Sequence, residues 1–573
     1  MKNNISIMIG GIQGEGIVRV GKTLMKILSR SGYYTYGSRT FASRIKGGHT
    51  NYMIDISIDK VLNNSEKFQI LVAFDRETIE INGSKIRDKG LLIYDHTMDM
   101  EGLNIPEGVK MLPLPITEMA KTYGTYNMRN MAVVGFLSNI LGLNIDTGKA
   151  IIEEDFMKKG EDVVHKNINI LENAYKHPID DKILSLYKLN KSKSQIKRAT
   201  MIGNEAIGLG ALMAGCRFIP SYPITPASEV MEYLGAKLPK YGGIMVQTED
   251  EISALMMALG GAYSGARAMT STSGPGISLM MEGLSFAGIT EIPVVIVDVQ
   301  RVGPSTGLPT KHEQSDIYAL YYGPHGEIPS IILTPSTVEE CFYDTMRAFN
   351  LAEKYQCPVI VLVDLNLGLS METIDELDIN KIPINRGKLL KESELKELTQ
   401  PFKRYEFTSD NISPRSIPGM INGIHHVTGL EHCEYGKPND KPINREKMMN
   451  KRFDKLEELY GEDAIDIYGN EDSNTLILSL GSNHGIIKSM VEKENMSVAY
   501  GIIRRIKPLP LDQIKNMYSK YNTILVVENN IRGQIYSIIK SKLKESSKLH
   551  SLVKYNGQKF SINEIKSKVE ELI

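Results

Sequence analysis

The 573-residue chain has few of the features that classify a protein at a glance. It has only four cysteines, Cys216, Cys341, Cys357 and Cys433, far apart and with no C-x-x-C. That spacing argues against a disulfide framework and against a zinc or iron–sulfur site in this chain, and free thiols fit a reducing cytoplasm. Charge of either sign is not in excess: 67 basic against 68 acidic side chains leave a formal charge of −1. No global field therefore favours nucleic acid or an anionic membrane as a partner. No apolar run reaches the length of a membrane span, and IPVVIVDV is broken by Asp298. The opening MKNNISIMIGGIQGEG runs from a short apolar stretch into glycines, so no signal peptide is expected. No repeat or low-complexity tract stands out. These absences point to a soluble cytoplasmic protein, with about three or four domains from its length.

What is present is strand–helix alternation. ISIMIGGIQGEG leads into a helix with Ile17, Val20, Leu24 and Ile27 at helical spacing, and FQILVAF (68–74) and GLLIYD (90–95) read as strands. Such alternation predicts parallel α/β sheets. The first unit ends near residue 190, before the polar KLNKSKSQIKRA. A second unit begins at ATMIGNEAIG and carries the strand-like GGIMVQ, ARAMTSTSG, IPVVIVDV, IPSIILT and CPVIVLVD to about residue 370. Residues from about 375 to 465 are rich in Gly, Pro, Asn and Asp and read as an irregular connection. A third α/β unit, with NTLILSLGS, MSVAYGII and NTILVVEN, closes the chain.

Two turns near the start have the composition of anion sites. GGIQGEG (10–16) lies between a strand and a helix, where amides face a phosphate as readily as they make a tight turn. It is not G-x-G-x-x-G: counted from Gly14, the third glycine falls at Arg19. SRIKGGHTN (43–51) adds Arg44 and Lys46 beside a Gly-Gly turn, suited to a phosphate-bearing ligand or simply to solvent.

The centre of the chain is more specific. QTEDEISALMMALGGAYSGARAMTSTSGPG (247–276) has acids at a helix start, then a strand, then a Ser-Gly-Pro-Gly turn. This order resembles the pyrimidine-binding domain of thiamine diphosphate enzymes. In that family a glutamate bonds N1′ of the cofactor and must be poised to share a proton, so an apolar setting that raises its pKa suits it. The helix glycines Gly260 and Gly265 select Glu251 for this role, whereas counting back from TSGPG points to Glu249. We take Glu251, with Glu249 as the alternative. Ser273 and Gly274 of the turn are the other expected cofactor contacts.

YPITPASE (222–229), QTEDEIS, TSTSGPG and DVQRVGPSTGLPTKHEQSD together resemble the alpha subunit of the 2-oxoacid:ferredoxin oxidoreductases. GGIQGEG and SRIKGGHT look like the gamma subunit of those enzymes. FKRYEFTSDNISPRSIPG, LILSLGSNHG, IKPLP and VVENNIRGQ look like the C-terminal half of the alpha subunit. The resemblance covers nearly the whole chain and implies a gamma–alpha fusion of the 2-oxoglutarate synthase type. Its α/β units would be a gamma domain (1–190), a thiamine diphosphate pyrimidine-binding-type domain (195–375), an irregular connector (376–465) and a transketolase C-terminal-like domain (466–573). Thr225 would contact the 2-oxoacid, Arg301 would pair with its carboxylate and Lys311 with a distal carboxylate. Pro223 and Pro226 would fix the backbone around Thr225, and Ser228 would cap the following helix. Ser43, Arg44, Lys46 and Gly47 would contact coenzyme A.

The chain contains no G-D-G. The resemblance therefore implies that a separate beta subunit supplies the diphosphate and Mg²⁺ half of the thiamine diphosphate site and the iron–sulfur cluster, with no metal held by this chain. The implied reaction is oxidative decarboxylation of a 2-oxoacid with coenzyme A to acyl-CoA and CO₂, electrons passing to ferredoxin. The assembly implied is a dimer of heterodimers. 2-Oxoglutarate is favoured, with pyruvate, branched-chain or mixed 2-oxoacids as alternatives. A non-oxidative thiamine decarboxylase and a non-catalytic nucleotide- or coenzyme-A-binding scaffold are the rival readings.

Overall fold

A computed structural model describes residues 2–41, 48–192, 196 and 198–573. The chain forms two compact units, Met1–Ile202 with Leu369–Leu377, and Gly203–Gly368 with Asp378–Ile573. Among the described residues no helix is long and apolar enough to cross a membrane.

The first unit is built on an eight-stranded sheet, in the order Lys110–Leu114, Ile86–Asp95, Phe68–Ala73, Asn4–Ile12, His49–Ser57, Tyr34–Phe41, Met371–Ile374 and Ala199–Ile202. Helix Ile17–Arg30 packs on it through Ile17, Val20, Leu24 and Ile27, all at most 2% exposed, as their spacing predicts. The sheet is mixed rather than parallel: His49–Ser57 runs antiparallel to both of its neighbours. Too few residues separate Phe41 from His49 for the long crossover that a parallel pair needs. The sequence reading also put Ala199–Ile202 at the head of the second unit. It lies instead at the edge of this sheet, antiparallel to Met371–Ile374, which in turn pairs with Tyr34–Phe41. Both short runs are rich in Thr, Ile and Met, which suits a half-buried strand, but nothing local announces a partner so far along the chain.

The second unit holds two sheets. The larger runs Arg505–Lys507, Ile331–Leu333, Pro358–Asp364, Val294–Gln300, Arg267–Thr272, Cys216–Ser221 and Ile244–Gln247. It is parallel except for its antiparallel edge Arg505–Lys507. Val294–Gln300 is buried along its whole length, which explains its nearly unbroken apolar sequence. The smaller sheet, Ile465–Gly469, Ala499–Ile503, Thr475–Ser479, Thr523–Glu528 and Leu549–Val553, is parallel apart from its first strand. Residues between 376 and 465 are not wholly irregular: Pro442–Asp454 is a helix of 13 residues. Its charged sequence shows little apolar periodicity because it is anchored by buried charges instead. Lys451 Nζ donates to Glu291 Oε1 at 2.6 Å and Lys455 Nζ to Glu291 Oε2 at 2.8 Å, with all three side chains at most 1% exposed.

Removing the shared acid would leave two buried ammonium groups uncompensated. Glu291→Ala is expected to destabilise the second unit by about 3 kcal/mol or more, read as a lowered denaturation midpoint against the parent chain.

Candidate active site

The larger sheet of the second unit sets where chemistry can occur. From Cys216–Ser221 the chain moves to the edge strand Ile244–Gln247, then crosses back to Arg267–Thr272 on the other side of Cys216–Ser221. The strand order reverses at this pair, and a crevice opens beyond the carboxyl ends of such strands. Buried Ser221 ties the two strands together, its Oγ donating to Ser271 O at 2.9 Å. The segments that leave here are the Tyr222–Pro226 loop and the turn that starts at Ser273. Gln300 ends the next strand, so Arg301 emerges beside them.

Helix Glu251–Tyr263 begins just after the edge strand. Asp250 caps it, its carboxylate accepting from Ser253 N at 2.7 Å, and Glu249 is exposed. Glu251 turns inward and is 5% exposed. Burial pushes its carboxyl pKa up, with the nearby Arg301 charge pulling the other way. Gly276 makes room for it: a Cβ there would lie 2.7 Å from Glu251 Cγ and 2.0 Å from Thr272 Oγ1. Gly265, just past the helix end, has φ +95°, where a side chain would be strained.

Arg301 is 6% exposed and is held by backbone dipoles. Its Nη1 donates to the Thr225 carbonyl and its Nη2 to Thr306 O at 3.3 Å, while Nε is buried without a partner. Burial lowers its pKa, opposed by Asp316 and Glu251. Thr225 is half-buried, and the Thr225–Pro226 peptide is cis. Val302 N donates to Lys311 O at 3.1 Å, so Lys311 closes the loop that Arg301 opens. Two further acids lie in this cluster. Asp316 N donates to Gln300 Oε1 at 3.1 Å, and a Cβ on Gly274 would meet its Oδ1 at 2.7 Å. Asp298 is 0% exposed on the strand Val294–Gln300, opposite Thr272.

The structure thus brings together Thr225, Glu251 and Arg301, with Lys311 on the Arg301 loop. Ser273 and Gly274 lie at the same turn, but the Ser273 hydroxyl is committed to Val299 O at 2.8 Å. Ser228 does not cap its helix: it is the first residue of Ser228–Lys237, and the capping position is Ala227, which has no side-chain acceptor. Ser43, Arg44, Lys46 and Gly47 lie outside the described residues. The GGIQGEG turn already holds a carboxylate of its own, Glu15, whose Oε1 accepts from Arg129 Nη2 at 2.7 Å. Sequence reasoning missed Asp316 and took Asp298 only as a break in an apolar run. A lone acid in a strand buried along its length is the signal that could have found it. Among the described residues no group of three or more His, Cys, Asp or Glu is arranged to hold a metal ion.

Residues 209–451 match the family model described as pyruvate flavodoxin/ferredoxin oxidoreductase, thiamine diphosphate-binding. Residues 6–177 match pyruvate ferredoxin/flavodoxin oxidoreductase, and 473–565 match pyruvate:ferredoxin oxidoreductase core domain II. A 2-oxoacid:ferredoxin oxidoreductase subunit alpha from Sulfolobus sp is 33% identical, over 99% of this chain and 97% of that protein. The 2-oxoglutarate synthase subunit KorA of Methanocaldococcus jannaschii is 37% identical over 62% of this chain and 95% of its own length. Among solved structures, 2-oxoglutarate:ferredoxin oxidoreductase from Magnetococcus marinus, with 2-oxoglutarate, coenzyme A and succinyl-CoA bound, superposes with a TM-score of 0.91 at 35% identity, covering 100% of both chains.

The Gly276 cradle gives a direct test of the site's packing. Gly276→Ala is expected to displace Thr272 and Glu251 and to cost about 1–3 kcal/mol through overpacking, measured as a fall in the thermal midpoint. Gly260→Ala, where a Cβ meets nothing within 4 Å, should leave that midpoint unchanged or slightly raised.

Proposed function

Since this chain belongs to the 2-oxoacid:ferredoxin oxidoreductase alpha-subunit family, an enzyme family with a thiamine diphosphate-binding domain, we propose that it is a gamma–alpha subunit that oxidatively decarboxylates 2-oxoglutarate with coenzyme A, giving succinyl-CoA and CO₂. Electrons leave for ferredoxin through a separate beta subunit. That partner carries the diphosphate and Mg²⁺ half of the cofactor site and the iron–sulfur cluster, neither of which has a sequence signature here. The observation that carries this reading is the convergence of Glu251, Thr225 and Arg301 at the strand-order reversal.

The residues present fit the pyrimidine half of thiamine diphosphate. Glu251 is an acid that burial holds toward its protonated form, and Gly276 leaves the space its side chain occupies. When bound, the cofactor supplies the nucleophilic carbon and the electron sink that decarboxylation of a 2-oxoacid requires. Glu251 is the group that holds and returns a proton at the pyrimidine ring. Ser273 and Gly274 shape the turn beside it. Arg301, balanced by carbonyl oxygens rather than by an ion pair, keeps its charge for an incoming carboxylate. The Thr225 hydroxyl orients the 2-oxo group, and Lys311 meets the distal carboxylate of a dicarboxylic substrate. Ser43, Arg44, Lys46 and Gly47, by the family resemblance of their sequence, are the residues proposed to contact coenzyme A.

Co-expression with a cysteine-bearing beta chain should yield a brown complex that reduces a ferredoxin-like dye; a colourless chain active on its own would overturn the subunit assignment. In that complex Glu251→Gln should abolish dye reduction, while unchanged turnover would move the role to Glu249. Arg301→Ala and Thr225→Ala should act mainly through KM for the oxoacid, with Arg301→Ala costing about 2 to 4 kcal/mol in kcat/KM. Lys311→Ala should raise KM for 2-oxoglutarate but not for pyruvate or 2-oxoisovalerate. Equal effects on all three substrates would remove 2-oxoglutarate as the preferred one.

A further inference from the structure

A small cavity in the second unit is lined by charged side chains that leave hydrogen-bonding groups unused. Arg404, Arg415 and His425 line it, all from the stretch that precedes helix Pro442–Asp454, together with Pro293 and with Tyr263, the last residue of helix Glu251–Tyr263. Its volume is about 10 Å³, room for a single particle of water or halide size. Arg404 Nη2 donates to Glu291 O at 2.7 Å, yet Arg404 Nη1 is buried and has no partner among the described residues. Arg415 Nη2 donates to Glu353 Oε1 at 2.6 Å, yet Arg415 Nε is buried and unpartnered in the same way. Both arginines are at most 5% exposed. His425 Nε2 is a third buried atom without a partner. Guanidinium N–H groups withdrawn from water with nothing to bond carry a desolvation cost that native proteins rarely leave unmet. We propose that this cavity binds one monovalent, halide-sized anion, held by Arg404, Arg415 and His425.

Charge decides between an anion and a water molecule. Arg267, Arg404, Arg415, Lys451 and Lys455 are all at most 5% exposed, and the buried carboxylates that pair with this group are Glu291 and Glu353. Half-buried Arg386 adds a further cation to Glu353. Arg404 itself reaches a carbonyl, not a carboxylate. A water in the cavity would satisfy the N–H groups but leave the excess of buried positive charge as it stands. An anion satisfies the same groups and offsets the charge, and charge-assisted hydrogen bonds from guanidinium are the stronger ones. His425 completes the site. Its Nδ1 lies 2.8 Å from Gly423 O and so carries a proton, which makes Nε2 an acceptor in the neutral ring and a donor in the charged one. Ser416 Oγ lies 3.1 Å from the same Nδ1, and Tyr263 and Phe402 meet the ring edge-on with centroids at 5.7 and 5.6 Å. Burial lowers the ring's pKa, the Gly423 carbonyl raises it and the Arg404 charge lowers it. An anion beside Nε2 opposes the Arg404 charge and favours the imidazolium, so its binding takes up a proton and tightens as pH falls. The bound anion would staple residues 404, 415 and 425 to one another beside the end of the helix that begins with Glu251.

The test combines crystals of the full chain grown in sodium bromide, measured at the bromine absorption edge, with thermal unfolding in solution. Bromide should give an anomalous peak in the cavity, within reach of Arg404 Nη1 and Arg415 Nε. An ordered water with no anomalous signal overturns the proposal. In solution the thermal midpoint should rise with millimolar chloride when ionic strength is held constant with sodium gluconate, whose anion is too large for the cavity, because a ligand of the folded state alone stabilises it. The rise should be larger at acidic than at alkaline pH. A midpoint that follows ionic strength and not the identity of the anion means binding at crystal concentration only, and overturns the proposal even if the bromide peak is present. Arg415→Lys keeps a positive charge near Glu353 but removes the Nε that lines the cavity; it should lose both the bromide peak and the chloride response. If that variant does not fold, His425→Phe, which keeps a ring against Tyr263 and Phe402, should need roughly tenfold or more chloride for the same rise, the loss of one charge-assisted hydrogen bond, and should lose the pH dependence. A chloride response that these variants retain in full overturns the proposal.

Discussion

The second unit depends on keeping one positive charge buried without neutralising it. Arg301 is removed from water yet forms no ion pair among the described residues; the carbonyls of Thr225 and Thr306 hold it instead. Dipoles fix a guanidinium's direction while leaving most of its charge available to a carboxylate. This explains why the two prolines flank Thr225. The loop must present the Thr225 carbonyl inward to Arg301, and a freely moving backbone would not do so reliably. The strand-order reversal brings that loop, the Ser273 turn and the end of Val294–Gln300 to one place.

Charge is handled differently away from the crevice. Glu353 is 3% exposed and accepts from Arg267 Nε at 2.7 Å, Arg386 Nε at 2.8 Å and Arg415 Nη2 at 2.6 Å. Glu291 is similarly saturated by Lys451 and Lys455. These clusters lock irregular chain onto the sheet, and they work because each buried charge has a partner. By contrast, Asp298 and the Oδ2 of Asp316 have no hydrogen-bond donor among the described residues. Unsatisfied groups of this kind are costly in a scaffold and are concentrated where a protein must react or bind.

Much of this was legible in the sequence, and the unequal parts are instructive. The sheets were visible because β-strands buried on both faces, such as IPVVIVDV, write themselves as apolar runs. Glycine spacing favoured Glu251 and the TSGPG count favoured Glu249, so spacing alone left both acids open; in the structure Glu251 is buried, Glu249 is exposed and Asp250 is consumed as the cap. Ser228 was misjudged because a cap depends on where the helix starts, which shifted by one residue. Helix Pro442–Asp454 escaped notice because its anchors are lysines, which a hydrophobic pattern discards. Asp316 was hidden because its significance lies in neighbours from distant strands, which spacing along the chain does not encode.

Met371–Ile374, the short strand that completes the first unit, has a consequence for how the molecule is made. It pairs with both Tyr34–Phe41 and Ala199–Ile202. Until it is synthesised, those two strands have no partner on their facing edges. Translation must proceed through roughly 170 further residues, a delay on the order of ten seconds or more, before the strand is available. During that interval the nascent first unit presents an open sheet edge, the surface most prone to pair with the wrong chain. No single cut in the gene could separate the two units cleanly, because the polypeptide visits the first of them twice.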